Sequence, residues 1–194
     1  MISGNTARII GFLMRHSYEL GYNVNQIAKA LNVSVSRTHE IIMELKTKKM
    51  LKVIDLKNAI YYNLDLSNPD TQDTCKMIIR EERRTIGPTV RVYSEELKKF
   101  EESKFTIIFG SILEKADFKD VDILFITNKV KAVNSFCLSL TKIRSKVIHP
   151  IIMPKEDFIN NIKKKDKVVL EIIKKGLVIK GEDKYVEALK NGQN

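Results

Sequence analysis

The tightest constraint on this chain is a three-residue stretch, Asn32-Val33-Ser34, that separates two helical patterns. Before it, Ile27, Ala28 and Leu31 recur at helical spacing; after it, Thr38, Ile41, Ile42 and Leu45 do the same. Asn tolerates the left-handed backbone that ends a helix, and Ser34 is a side chain that starts the next one. A connection this tight packs two short helices directly against each other.

The surrounding residues extend the pattern. A helix is expected over residues 5–16, with Ile9, Ile10, Phe12 and Leu13 as its apolar stripe. The next is announced by Asn23-Val-Asn-Gln26, a capping box with Asn in place of Ser or Thr. The third runs to about residue 48. LKVIDLKNAIYYNLD then reads as two strands, 51–55 and 60–64, joined by a turn containing Lys57-Asn58.

Helix, helix, tight turn, helix, hairpin is the order of a winged helix-turn-helix. NVNQIAKALNVSVSRTHEIIMELKTKKMLKVI resembles that family along its whole length, with the small Ala28 at the helix crossing. Asn32 stands where the family's turn usually has glycine. The resemblance implies a double-stranded DNA partner, with the third helix in the major groove. Off the buried face of that helix lie Val35, Ser36, Arg37, His39, Glu40 and Met43. Arg37 is the candidate for guanine, since its planar fork bonds two acceptors at once. Ser36 and His39 suit a base or a phosphate, and Glu40 either accepts from cytosine or pairs with Arg37. Lys46, Lys48, Lys49, Lys52, Lys57 and Asn58 are placed for phosphates, and Ser34 completes the DNA-facing set. Lys46, Lys48 and Lys49 also complement the helix C-terminal dipole.

Charge agrees with this reading without proving it. Lys and Arg number 34 against 24 Asp and Glu, a net charge of +10 that concentrates polyanions near the surface. With 43% hydrophobic residues the 194-residue chain can build a core, as one large domain or two small ones. Its apolar runs are too short to span a bilayer, so no membrane partner is expected. MISGNTARIIGFL lacks the basic flank and cleavage site of a secretory signal. Cys75 and Cys137 have no metal-ligand spacing and read as buried thiols in a reducing cytoplasm.

Leu66-Ser67-Asn68-Pro69 is a break, followed by a charged helix over 70–86 that Gly87-Pro88 stops, and a second helix over 89–103. Met77, Ile78 and Ile79 form an aliphatic set expected on the exposed face of the first of these, suited to a dimer contact. The runs REERR (80–84) and KKKDK (163–167) read as solvated faces or an extension of a DNA track. Beyond 105, strands over 105–109, 121–127 and 146–153 alternate with helices over 131–144, 155–164 and 167–175. The fold class expected is therefore a two-domain α+β or α/β chain ending in a small mixed sheet. Its divisions are 1–67, a helical connector over 68–103, and a second domain over 104–194.

IIFGSILEKADFKDVDILFI, residues 107–126, carries the second chemistry. Alternation along a strand puts Asp120 and Asp122 on one face, where two carboxylates repel unless a cation lies between them. Mg²⁺ suits such a pair, because it completes its shell with water and phosphate oxygens. Gly110 before Ser111 lets backbone N–H groups approach a phosphate, and the hydroxyl adds a donor.

Phe109-Gly110-Ser111 followed by Asp120-Val121-Asp122 resembles the nucleotidyltransferase superfamily of DNA polymerase beta in its minimal form. EIIKKGLVIKGEDKYVEALK, residues 171–190, is similar to the tail of small archaeal and bacterial members. The resemblance implies that Gly110 and Ser111 hold a nucleotide triphosphate and that Asp120 and Asp122 bind Mg²⁺. It also has departures. Active members carry a third carboxylate on the next strand, but here that strand reads KVIHPIIM, and Glu156 and Asp157 follow too late. The loop from Ser111 to Asp120 is short, lacks the customary glycine, and has Lys119 where a Ser often stands. His149, mid-strand beside Pro150, reads as packed or hydrogen-bonded.

Two functions follow. One is a DNA-binding transcriptional regulator, expected to be a homodimer, whose degenerate nucleotidyltransferase-like domain senses a ligand, dimerises or binds a protein partner. The other is a Mg²⁺-dependent enzyme that moves a nucleotide from a triphosphate to a protein or nucleic-acid hydroxyl.

Overall fold

The computed structural model of the chain describes residues 4–144 and 146–193. It is a mixed α+β structure with two separate sheets, and its contacts divide it into two compact units. One runs to Ile78 and takes in Gln193; the other spans Ile79–Gly192.

The first unit holds α1 (Gly4–Arg15), α2 (Val24–Leu31), α3 (Val35–Thr47) and the antiparallel hairpin of β1 (Leu51–Asp55) and β2 (Ile60–Leu64). Its boundaries have local causes. The Asn23 side chain accepts from the Gln26 N–H while the Gln26 side chain accepts from the Asn23 N–H, closing the capping box. Asn32 ends α2 at φ 50°, ψ 50°, and Ser34 Oγ accepts from the Arg37 N–H to open α3. Ile9, Leu13, Ile27, Ile41, Ile42 and Leu45 fill the core. Leu31 and Phe12, expected on the buried faces, are only half-buried: the first ends its helix, and the second lies against the His16 ring. The hairpin is tied back by paired hydrogen bonds between Tyr22 and Tyr62 and by buried Asn63, which donates to the carbonyls of Ser17 and Glu19. Gly21 sits at φ 135°, where an added Cβ would come within 2.8 Å of the Tyr62 carbonyl oxygen.

The division between units falls inside α4 (Pro69–Arg84). Thr71, Cys75, Ile78 and Ile79 are all buried at helical spacing, so the charged helix expected here is amphipathic. Only Met77 of the aliphatic triplet is exposed, which removes Ile78 and Ile79 from any surface contact.

In the second unit α5 (Pro88–Lys98) ends earlier than its expected residue 103. Phe100 turns into the core and buried Ser103 donates to the Phe105 carbonyl. The sheet has the order β5-β4-β3-β6, from β3 (Thr106–Phe109), β4 (Asp120–Ile126), β5 (Val147–Met153) and β6 (Leu177–Lys180). β4 runs parallel to β5 and antiparallel to β3, and β3 is antiparallel to β6. Every residue of β4 from Val121 to Ile126 except Asp122 is buried, so helices cover both faces of the sheet. One layer is α5 with α6 (Val130–Arg144), packed on Val121, Ile123 and Phe125. The other is α7 (Lys155–Lys163), α8 (Lys167–Lys175) and α9 (Glu182–Gly192), where Phe105 meets Phe158 and Tyr185 edge-on. Pro150, which lacks a donor, lies on edge strand β5.

The REERR run is paired within this unit and does not form a free basic track. Arg80 and Arg83 converge on Glu182 at 2.6 and 2.8 Å, and Arg84 pairs with Glu81. Burial would raise the Glu182 carboxyl, but hydrogen bonds from Arg83 and Arg80 outweigh it and hold the pKa at about 2. Cys75 and Cys137 are buried free thiols, pushed by burial up to about 12 and about 11 and so kept unreactive. Among the described residues no helix is long and apolar enough to cross a membrane.

Candidate functional site

Each unit presents one candidate. In the first, Ser34, Ser36, Arg37, His39, Lys46, Lys48, Lys49, Lys52, Lys57 and Asn58 are all exposed. The caps explain the placement on α3: Ser34 fixes its start, and Thr38, Ile41, Ile42 and Leu45 turn the opposite stripe inward. Arg37 Nη1 lies 2.9 Å from Glu40 Oε2, so its guanidinium is held by the one acid on that face that the sequence offered as its partner. Both side chains are exposed, and such a pair opens readily for a competing ligand. At the hairpin tip, Lys57 adopts φ 65° and its N–H donates to Asp55 Oδ1. That local bond fixes the turn and leaves the Lys57 side chain in solvent. Lys48 pairs with Glu44 at 2.6 Å, which draws one of the expected phosphate ligands toward an acid on its own helix.

A groove of about 720 Å³ runs between the start of α2, α3 and β2; Val24, Asn25, Val35, Ser36, His39 and Ile60 are among the residues lining it. Val35 is 52% exposed and Ile60 44% exposed. Ile60 was outside the expected set; its only signal in the sequence is an apolar residue on the outward end of a strand.

In the second unit the sheet brings the Gly-Ser turn against the carboxylates. Asp122 stands in register between Phe109 on β3 and His149 on β5. Gly110 takes φ 80°, and an added Cβ there would overlap Asp122 Oδ2. Glycine is therefore required twice, by its backbone angle and by the carboxylate beside it. Ser111 opens a short 3-10 turn whose N–H groups at Leu113, Glu114 and Lys115 bond back to Gly110 and Ser111. Beside Gly110 opens a cavity of about 380 Å³ lined by Phe109, Glu114, Lys167, Val168, Ile172 and Lys175, among others.

His149 is neither packed nor buried. It is exposed, with Nδ1 3.6 Å from Asp120 Oδ2 and 3.8 Å from Asp122 Oδ1. Sequence order hid this, because the parallel pairing of β4 with β5 sets the register. The Asp122 carboxyl is raised above its ordinary pKa, first by burial and then by the Asp120 charge, with His149 opposing. A raised, half-buried carboxylate with an acid neighbour is the electrostatic setting that a cation relieves. Mg²⁺ with one or two carboxylates and water fits Asp120 and Asp122. Among the described residues, however, no group of three His, Cys, Asp or Glu side chains is arranged to hold a metal. Glu156 and Asp157 sit exposed in the first turn of α7, and Glu156 faces Lys104 Nζ at 3.9 Å.

No protein-family model matches this chain, and no curated protein matches it either.

Proposed function

We propose that the protein binds double-stranded DNA through α3 and its hairpin and acts as a transcriptional regulator. The first unit is then a winged helix-turn-helix, and the second a nucleotidyltransferase-like domain that senses a ligand, dimerises or binds a protein partner. The observation that carries this reading is the capped, exposed first turns of α3, with Ser36, Arg37 and His39 in solvent above a buried apolar stripe. A recognition helix needs that division, since its N-terminal residues meet base edges while its other face holds it to the domain. The exposed lysines at 46, 48, 49, 52 and 57 supply phosphate contacts. One recognition helix covers a half-site, so a homodimer is the expected binding form.

The test is fluorescence anisotropy on labelled duplexes selected from a random pool at low salt. Arg37→Ala should weaken binding to the selected duplex by about tenfold or more, the size of a lost bidentate base contact. Equal affinity of variant and wild type for selected and scrambled duplexes would defeat the assignment.

Closure of Gly110 onto Asp122 favours a second reading, a Mg²⁺-dependent nucleotidyltransferase of the cytoplasm. Asp120 and Asp122 would hold the ion, which would supply charge neutralisation for a nucleotide triphosphate bound at Gly110 and Ser111. Its expected signature is transfer of label from a nucleotide triphosphate to protein or nucleic acid that vanishes in Asp120→Ala/Asp122→Ala. No label transfer in the wild type would exclude it.

A further inference from the structure

We propose that Val35 reads the C5-methyl group of thymine, making the DNA site one that prefers thymine at a fixed position in each half-site. The inference rests on the DNA-binding reading above and specifies it. Val35 is the first residue of α3, directly after the Ser34 cap, and it is 52% exposed on a helix whose Ile41, Ile42 and Leu45 turn inward. It shares its groove with Ile60, and the apolar surface there is continuous with the core. Leu51, Val53, Tyr62 and Leu64 lie on the same face of the hairpin as Ile60, and exposure rises from Leu64 outward to Ile60.

The groove could in principle take a protein segment or a duplex, and its surroundings favour the duplex. Ser36, His39 and Asn25 place hydrogen-bonding groups beside Val35. Lys46, Lys49, Lys52 and Lys57 are exposed on the same unit, so the charge suits a polyanion. In the major groove the thymine methyl is the one apolar handle on a base edge, and aliphatic side chains select it by contact. Val35 is an aliphatic side chain at the turn where base edges are met.

The experiment uses the full chain and a duplex selected by it. Each thymidine is replaced singly by deoxyuridine, which keeps every hydrogen-bonding group and removes only the methyl. Wild-type binding should fall about fourfold, the worth of one buried methyl, at one position per half-site. In Val35→Ala that sensitivity should disappear while sensitivity at other positions is retained. Circular dichroism checks that the variant is folded, as an exposed side chain allows. If deoxyuridine is neutral everywhere in a duplex that binds, the proposal falls while the DNA reading stands. If sensitivity persists in Val35→Ala, another residue reads the methyl and the proposal is equally wrong. If no duplex binds at low salt, both fall, and a protein segment becomes the occupant of the groove.

Discussion

The exposed face of α3 and the turn beside Asp122 place functional groups in opposite ways. On α3 the side chains point into solvent from one capped helix, and Arg37–Glu40 and Lys48–Glu44 are exposed pairs within that one stretch of chain. At Asp122 three chain segments have to meet. Gly110 must lack a side chain, Asp122 must accept burial beside Asp120, and His149 must arrive from the parallel strand. The first kind of site tolerates change in the fold and records it in binding. The second should record change in stability first.

Gly110→Ala is the strongest way to break that contrast. Its Cβ meets Asp122 Oδ2 at a backbone angle that disfavours alanine, so a loss of about 3 kcal/mol is expected. Ser36→Ala, on the open face, should change stability by less than about 0.5 kcal/mol. Urea unfolding of both variants measures the difference, and equal losses would mean that the turn is not closed over Asp122.

The ion triad of Arg80, Arg83 and Glu182 gives a smaller effect with a defined pH window. The folded Glu182 pKa is about 2 against an ordinary 4.5, so its stabilisation is complete above pH 4.5 and is lost as pH falls toward 2. With Arg80 half exposed to solvent, the contribution is about 1–2 kcal/mol. Glu182→Gln should lower the wild-type melting temperature at pH 6 and converge with it near pH 2. Parallel melting curves across that range would show that the triad is not coupled to folding. Asn23→Ala, which opens the capping box of α2, should cost about 1 kcal/mol, read by the same melts.

The same contrast explains what could be read from the chain. The caps at Asn23 and Ser34, the left-handed Asn32 and the hairpin at 51–55 and 60–64 rest on neighbours within a few residues, and all stand where local chemistry places them. Around the second site the helix expected to reach 103 ends at Lys98, while the strands over 105–109, 121–127 and 146–153 were legible as well. The pairings were not. His149 reaches the aspartates only through the β4–β5 register, and Arg80 and Arg83 find Glu182 about a hundred residues away. Ile78 and Ile79, expected on the exposed face of α4, are buried because they share a helical period with Thr71 and Cys75. Local rules fix where a helix starts; register and tertiary packing decide what a side chain faces.

The most direct measurement is the salt dependence of binding to a selected duplex, with wild type beside a Lys46→Ala/Lys49→Ala/Lys52→Ala/Lys57→Ala variant. If these exposed lysines neutralise phosphates, wild-type affinity should fall about 10²–10³-fold between 50 and 200 mM salt, and the variant should show a slope shallower by about 3 to 4. Identical slopes, or no duplex bound even at low salt, would contradict DNA recognition by α3 and its hairpin.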